Sequence, residues 1–219
     1  MPKQTFFNLP DEKRQTLIDL ALDEFAGNDY QSASISRLVA QAGIAKGSFY
    51  QYFEDKQDLY SYLFQLGAEQ KVAFLSEAAP PDPEMALFDY LSWVFQRRVL
   101  FDLYYPRFSK LTYRALSGDS PLPDDMVARA KATADDYFRR LLEAGLARGD
   151  IDPAIDPDVA VFVLSAVLIE FGKYMSLHLG LDPASLDGAG LPTAEAEAMQ
   201  GLFDKLLYIL QHGMEKKND

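Results

Sequence analysis

The sequence contains no cysteine. A disulfide framework, thiolate metal sites and cysteine nucleophiles are therefore excluded, which fits a reducing cytoplasm. Long apolar runs are also missing, because the longest, residues 159–169, is interrupted by Ser165 and is shorter than the roughly 20 residues of a membrane span. The first residues lack the apolar segment of a secretory signal. We therefore expect a cytoplasmic protein with no membrane partner.

Signatures of catalysis are absent as well. The sequence has no nucleophile elbow, no glycine-rich phosphate loop and no histidine pair at metal-binding spacing, since His178 and His212 stand far apart. We therefore expect no catalytic residue, no metal and no cofactor, and a protein that is not an enzyme.

Positive charge is scarce, with 21 Lys and Arg against 33 Asp and Glu and a net charge of -12. Such a balance argues against a protein that coats nucleic acid non-specifically, because phosphate binding needs clustered cations. One window differs from the rest of the chain. No acidic residue lies between Asp29 and Glu54, and this window contains Arg37 and Lys46. A local surface that tolerates phosphate is therefore available.

Strict polar and apolar alternation is missing, whereas helical periodicity runs along the whole chain and predicts an all-α fold. Ile18, Ala21, Leu22 and Phe25 follow the spacing of a first amphipathic helix, which ends at residues 27–29. Glycine and proline separate the further predicted helices. These cover residues 34–42, 45–53, a stretch capped by Asp55, and residues 84–103, 124–148, 158–179 and 193–213.

The most informative segment is Ser34–Phe53, where a helix capped by Ser34 is followed by a tight turn and a second, short helix. A helix of this length is marginal in water, so packing must hold it. Gly43 suits a turn with positive φ, and Gly47 leaves room for another backbone to approach. We expect the packing to involve Leu38, Val39, Ile44, Phe49 and Phe53.

The opposite face of the short helix carries donors and aromatic rings but no acid: Lys46, Ser48, Tyr50, Gln51 and Tyr52. Gln51 can pair with adenine in the major groove. The tyrosine rings can contact thymine methyl groups while their hydroxyls reach phosphates. This arrangement favours a helix-turn-helix that binds double-stranded DNA.

The order and spacing of these fragments resemble the TetR family of regulators. The fragments are Ser34-Ile35, Ala42-Gly43-Ile44, Lys46-Gly47-Ser48-Phe49-Tyr50, Tyr52-Phe53 and Lys56-Gln57-Asp58-Leu59, within residues 10–66. The resemblance implies that Lys46, Ser48, Tyr50 and Tyr52 face an operator and that Lys56 clamps a backbone phosphate. The full set of expected DNA-binding residues is Ser34, Arg37, Lys46, Gly47, Ser48, Tyr50, Gln51, Tyr52 and Lys56.

Three positions depart from the family pattern. Asp29 stands where glycine is usual, which is acceptable if Asp29 adopts the left-handed region. Ala33 and Ala45 replace hydroxyl residues that contact phosphate or cap the recognition helix, a loss of about 0.5–2 kcal/mol of helix stability. Arg37 has two open roles: a phosphate contact, or an ion pair with Asp29 or Asp55.

The resemblance also implies two domains: a three-helix DNA-binding domain, residues 8–60, and a larger helical ligand-binding and dimerisation domain, residues 61–215. It implies a homodimer through the last two long helices. The sequence permits this, because residues 158–179 are apolar on nearly every side. The last helix carries an apolar stripe of Met199, Leu202, Phe203, Leu206 and Leu210.

The second domain is rich in aromatic residues, most of which must form the core, and a helical cavity is the expected inducer site. The candidate ligand-binding residues are Trp93, Arg97, Phe101, Tyr104, Tyr105, Tyr113, Phe138, Glu170 and Tyr174. Glu170 has two open roles. It can recognise a polar group of the inducer, or it can simply pair at the dimer interface or be exposed to solvent. We thus expect a repressor that a small, largely apolar or aromatic inducer releases from palindromic operator DNA. The alternative is a helical ligand-binding or adaptor protein of the same fold without useful DNA affinity.

Overall fold

The computed structural model describes residues 1–82, 84–116, 121–179 and 193–214. Within these ranges the regular structure is helical and contains no strand, which confirms the all-α prediction. In the same ranges, no helix combines the length and apolarity that crossing a membrane requires. The helices are α1 (Gln4–Phe7), α2 (Asp11–Gly27), α3 (Ile35–Gln41), α4 (Lys46–Tyr52), α5 (Lys56–Ser76), α6 (Leu87–Tyr104), α7 (Pro106–Leu116), α8 (Asp124–Arg148), α9 (Pro157–His178) and α10 (Thr193–Met214).

Two helices were not predicted from the sequence, α1 and α7. Proline in an aromatic stretch predicts an interruption of the helix, but Pro106 is the first residue of α7. Proline is well suited to this position, because the first N–H groups of a helix have no partner within it. The expected caps are present, since the Ser34 hydroxyl accepts from the Arg37 N–H and an Asp55 carboxylate oxygen accepts from the Asp58 N–H at 2.8 Å.

The chain divides into two compact units, of which the first contains Met1–Ala73 and Asp102–Pro123. Its core includes the predicted apolar face of α2, with Leu22 and Phe25 almost fully buried. Two arginines join α7 to α2. Arg107 contacts the carboxylates of Asp19 and Asp23 at 2.8 and 3.1 Å, and Arg114 donates to the carbonyls of Phe25 and Asn28. Helix α7 therefore belongs to the same packed unit as the helix-turn-helix.

The second unit contains Phe74–Phe101 and most of the chain after Asp124. Phe95 of α6 stacks on Phe203 of α10, with 3.7 Å between the ring centroids. Helices α8 and α9 share the hydrogen bond from the Ser165 hydroxyl to Asp135, 2.6 Å long. The stripe predicted on α10 therefore faces partly inward: Phe203 and Leu210 are buried, and the other three members are half-buried.

Candidate nucleic-acid interface

The turn between α3 and α4 follows the sequence prediction closely. Gly43 adopts φ +63°, and the Ile44 N–H donates to the Val39 carbonyl at 3.0 Å. A residue with a side chain is strained in this backbone region, which explains the glycine. The packing set is also as predicted: Leu38, Val39, Phe49 and Phe53 are buried, and Ile44 is half-buried.

The face of α4 opposite Phe49 is turned outward. Lys46, Gly47, Tyr50 and Gln51 are exposed, with 46% of Tyr50 accessible, and Ser48 and Tyr52 are half-buried. No acidic residue lies on α4. Apart from its chain neighbours and the backbone of α4 itself, a Cβ added to Gly47 would meet no described atom within 4 Å, so this part of the surface is open. The geometry suits a helix that enters a groove lined with phosphates, and the individual DNA contacts stay predictions.

The three departures from the family pattern have different structural outcomes. Ala45 precedes α4 without any side-chain cap. Ala33 is buried. Asp29 does not use the left-handed region, because every described residue with positive φ is a glycine. Asp29 instead accepts from the Ser32 N–H at 2.7 Å, and this hydrogen bond lowers the pKa of its carboxyl. A turn closed by the Asp29 side chain thus forms where the family pattern has a glycine.

Arg37 contacts a carboxylate that neither sequence-based interpretation named. Its guanidinium donates to Glu24, with Nε 3.1 and 3.2 Å from the two carboxylate oxygens, and also to the Ser32 carbonyl at 2.9 Å. Glu24 is 7% exposed and additionally accepts from the Ser34 N–H at 2.7 Å. Hydrogen bonding from Arg37 lowers the pKa of Glu24 against the opposing effect of burial. The pair therefore fixes the start of α3 against α2.

Lys56 begins α5, and its ammonium group is directed at the loop before α3. Nζ donates to the carbonyls of Tyr30, Gln31 and Ala33 at 2.6, 3.3 and 3.0 Å. It also lies 4.5 Å from the centroid of the Tyr30 ring. Lys56 thus holds the α2–α3 loop in this structure. Its predicted clamp on a DNA phosphate stays a prediction.

Four residues of this region escaped the sequence reasoning. Glu24 lies among the buried residues of α2, and an acid in such a position indicates a buried partner. Lys3, Thr5 and Phe6 precede the motif, and no local pattern relates them to α4. Phe6 is fully buried, and Lys3 and Thr5 donate to carbonyls of α4.

Two of the candidate ligand residues meet at the end of α5. Arg97 lies 4.6 Å from the Phe74 ring centroid and donates to the Phe74 carbonyl at 2.9 Å. Phe101 packs edge-on against the same ring at 5.7 Å. Among the described residues, the Arg97 Nε is one of two buried side-chain polar atoms without a hydrogen-bond partner, the other being the Ser61 hydroxyl. An unsatisfied buried donor is costly and favours an incoming acceptor.

Two further candidates, Trp93 and Phe138, belong to an aromatic cluster between α6 and α8. Trp93 packs on Tyr90 at 5.8 Å, Phe138 packs on Tyr137 at 5.5 Å, and the two tyrosine hydroxyls lie 3.5 Å apart. Burial strongly raises the pKa of Tyr137. The cluster offers apolar rings around a polar hydroxyl pair, as small-molecule sites often do.

The remaining candidates differ in exposure. Tyr104, Glu170 and Tyr174 are exposed, and Tyr105 is half-buried. Tyr113 belongs to the first unit, where it lines a cavity of about 340 Å³ with Tyr30 and other residues. No group of three or more His, Asp or Glu side chains in the described ranges could hold a metal ion. Among all the candidate ligand residues, Arg97 and Phe101 share the Phe74 ring as a contact.

Comparison with known proteins covers both halves of the chain. Residues 17–63 match the model described as bacterial regulatory proteins, tetR family, and residues 85–215 match the tetracyclin repressor-like C-terminal domain. The crystal structure of a TetR family transcriptional regulator from Chloroflexus aurantiacus J-10-FL is similar over 99% of this chain and 100% of that one. The two sequences are 44% identical, and the TM-score is 0.79.

Two curated relatives match over shorter stretches. The fatty acid metabolism regulator protein of Bacillus subtilis (strain 168) is 38% identical over 53 residues, 24% of this chain and 27% of that protein. The HTH-type transcriptional regulator AcrR of Shigella flexneri is 32% identical over 92 residues, 40% of this chain and 42% of that protein. The chain thus spans less than half of either relative.

The helix-turn-helix geometry, the larger helical unit and the two matches that together cover most of the sequence lead to one assignment. The chain belongs to the TetR family of bacterial transcriptional regulators, with an N-terminal helix-turn-helix domain and a larger helical C-terminal domain.

Proposed function

We propose that this protein is a ligand-responsive repressor that binds palindromic operator DNA as a homodimer and is released by a small inducer. One observation carries the proposal: the outward face of α4 presents Lys46, Tyr50 and Gln51 with no acid on the helix, while Phe49 on its opposite face is buried. In a chain with a net charge of -12, such a face is suited to phosphates and base edges.

The residues on the outward face of α4 have different expected roles, which follow from their side-chain chemistry. Gln51 supplies the paired donor and acceptor that fit adenine, and Lys46 supplies the charge that neutralises a phosphate. Tyr50 presents a ring that can contact a thymine methyl group and a hydroxyl that can reach the backbone. We expect Lys46 to contribute affinity and Gln51 to contribute sequence preference.

We infer that the dimer forms through α9 and α10. Among the described side chains of these helices, Val159, Phe162, Tyr174, Tyr208 and Ile209 are large, apolar and at least half exposed. Helix surfaces of this kind are covered when two copies pair around a two-fold axis. Such a dimer would present two α4 helices to half-sites about 34–36 Å apart. Part of the apolar stripe predicted on α10 is buried against α6 of the same chain. We therefore place Tyr208 and Ile209 in the dimer interface instead of that stripe.

Release by inducer is inferred to proceed through α5. The first residue of this helix, Lys56, holds the carbonyls of the α2–α3 loop, and Phe74 near its end accepts from Arg97. An acceptor group on the inducer that draws Arg97 away from the Phe74 carbonyl would free the last turn of α5. A change in α5 would then reach Lys56 and disturb the α2–α3 loop that it holds. The inducer needs to favour the released state by only about 1–3 kcal/mol.

The inducer class is inferred from the same contacts. The buried, unpaired Arg97 Nε favours a ligand with a carboxylate or carbonyl oxygen, and the Phe74 and Phe101 rings favour an apolar or aromatic body.

DNA binding is tested by fluorescence anisotropy with duplexes from the region upstream of the protein's own gene, over a series of salt concentrations. Lys46→Ala is expected to weaken binding and to reduce the slope of log affinity against log salt by about 0.9, as loss of one phosphate contact requires. The matched control is Lys13→Ala, which removes an exposed lysine of α2 and should leave both values unchanged. Tyr50→Ala is expected to abolish binding without unfolding the dimer.

Absence of binding to any upstream or genomic duplex at low salt would overturn the repressor proposal and favour the ligand-binding or adaptor alternative. The inducer proposal is tested separately by native mass spectrometry of the purified protein. A co-purified small molecule present in the wild type and lost in Arg97→Met supports the Arg97 site. Equal retention in both proteins contradicts that site.

A further inference from the structure

The C-terminal end of the recognition helix α4 is completed by residues from the start of the chain. The last carbonyls of a helix have no partner within it. Here the Tyr50 carbonyl accepts from Lys3 Nζ at 3.0 Å, the Gln51 carbonyl accepts from the Thr5 hydroxyl, and the Tyr52 carbonyl accepts from the Lys3 N–H at 2.8 Å. Three successive carbonyls are therefore held by two residues more than 45 positions earlier.

The segment that supplies these donors is anchored by Phe6, which is fully buried. The Phe6 ring lies 4.9 Å from Phe53, 5.5 Å from Tyr62 and 6.3 Å from Tyr52, measured between ring centroids. Phe53 directly follows α4, and Tyr62 lies on α5. Residues 3–6 are thus packed against both helices and are not a loose extension.

The other end of α4 has no side-chain cap, because alanine, Ala45, precedes the helix. A helix of seven residues is marginal without tertiary contacts. The held carbonyls belong to Tyr50, Gln51 and Tyr52, the same residues whose side chains form the outward face. Fixing these three peptide groups sets the rotation of the helix about its axis and hence the direction of the three side chains.

Lys3 has a further contact that bears on its role. Its ammonium group lies 3.0 Å from the Glu54 carboxylate as well as 3.0 Å from the Tyr50 carbonyl. A cation near a helix C-terminus is favoured by the helix dipole. The charge of Lys3 is therefore already matched within the protein, which separates it from Lys46.

We propose that Lys3, Thr5 and Phe6 form a positioning element that holds the C-terminal turn of α4 in the orientation that operator binding requires. The proposal rests on the proposed DNA-binding function. Lys3 and Thr5 act on DNA through α4, without contacting the duplex. Two measurements keep the positioning role and the DNA-binding function distinguishable.

The first measurement is amide hydrogen exchange of the free protein, which needs no DNA. Thr5→Val keeps the shape of the side chain but removes the hydroxyl, and Lys3→Met removes the ammonium group. Each is expected to speed exchange in residues 49–53 about fivefold, the equivalent of one hydrogen bond. Thr5→Ser keeps the hydroxyl and is expected to exchange at the wild-type rate. The control is Gln4→Ala. The Gln4 side chain donates to Asn8 and not to α4, so exchange in residues 49–53 should stay unchanged. Unchanged exchange in both Thr5→Val and Lys3→Met would overturn the proposal.

The second measurement is the salt dependence of binding to the upstream duplex that the wild type binds. Thr5→Val and Lys3→Met are expected to weaken binding several-fold at every salt concentration, with the slope of the wild type. A slope reduced by about 0.9 in Lys3→Met would mean that Lys3 contacts a phosphate directly and would overturn the positioning role. Faster exchange with unaltered affinity would overturn it too. If the wild type binds no DNA, the proposed function fails, and the exchange data alone decide whether residues 3–6 hold α4.

Discussion

Replacing Glu24 with glutamine tests the ion pair between Glu24 of α2 and Arg37 of α3, which we call the electrostatic lock. The Glu24 carboxylate is 7% exposed and accepts from Arg37, from the Ser34 N–H at 2.7 Å and from the Asn28 amide at 3.4 Å. Glutamine keeps one acceptor oxygen for Ser34, but its amide group turns a donor toward the guanidinium. Hydrogen bonds to charged groups contribute about 1.5–3 kcal/mol, and partial exposure of the partner places the expected loss near the lower limit.

The pH dependence gives the prediction its sign. Hydrogen bonding from Arg37 lowers the pKa of Glu24 below its ordinary value of 4.5. The stabilising effect is therefore complete above that pH and disappears as the pH falls through the lowered pKa of the folded state. The difference in unfolding free energy between wild type and Glu24→Gln should be constant near neutral pH and should shrink on acidification below about pH 4.5.

The assay is urea unfolding followed by circular dichroism at a series of pH values, together with hydrogen exchange at the first amides of α3. The matched control is Glu143→Gln, the same chemical change at an exposed glutamate of α8. A difference between Glu24→Gln and the wild type that is no larger than the control's, or one that is independent of pH, would refute the electrostatic lock.

Three further predictions concern other contacts. Lys56→Met removes a donor from three loop carbonyls and is expected to weaken operator binding with an unchanged salt slope; a reduced slope would instead support the phosphate clamp. Ile209→Asp combined with Phe162→Asp places charges on two exposed apolar positions of the proposed dimer interface and should give monomers in sedimentation velocity. Lys205→Asp, at an exposed position of α10, should leave the proposed dimer intact. Burial raises the pKa of Tyr60 to about 12, so Tyr60→Phe should remove a tyrosine that ionises near that pH in a phenolate absorbance titration; a loss near pH 10 instead would contradict its burial.

Much of the helix-turn-helix was predictable from the sequence, since its determinants are local. The apolar spacing of α2, the cap at Ser34 and the positive φ of Gly43 each depend on neighbours within a few residues. The outward set on α4 followed for the same reason, because helical periodicity separates Lys46 and Tyr50 from Phe49. Helix α7 was missed, since Pro106 signals a break equally well when it begins a helix.

Contacts between residues far apart in the sequence could not be predicted, because packing selects them. Arg37 selects Glu24, thirteen positions earlier, and Thr5 reaches Gln51, forty-six positions later. A charged side chain has many possible partners in the sequence, and packing decides which of them it meets. An apolar stripe likewise shows that a face is buried without naming what covers it, and Phe203 meets Phe95 of its own chain. Local sequence patterns were therefore enough to predict the helix-turn-helix and the outward surface of α4, but not α1 or α7. Tertiary packing determined which contacts hold that surface in place.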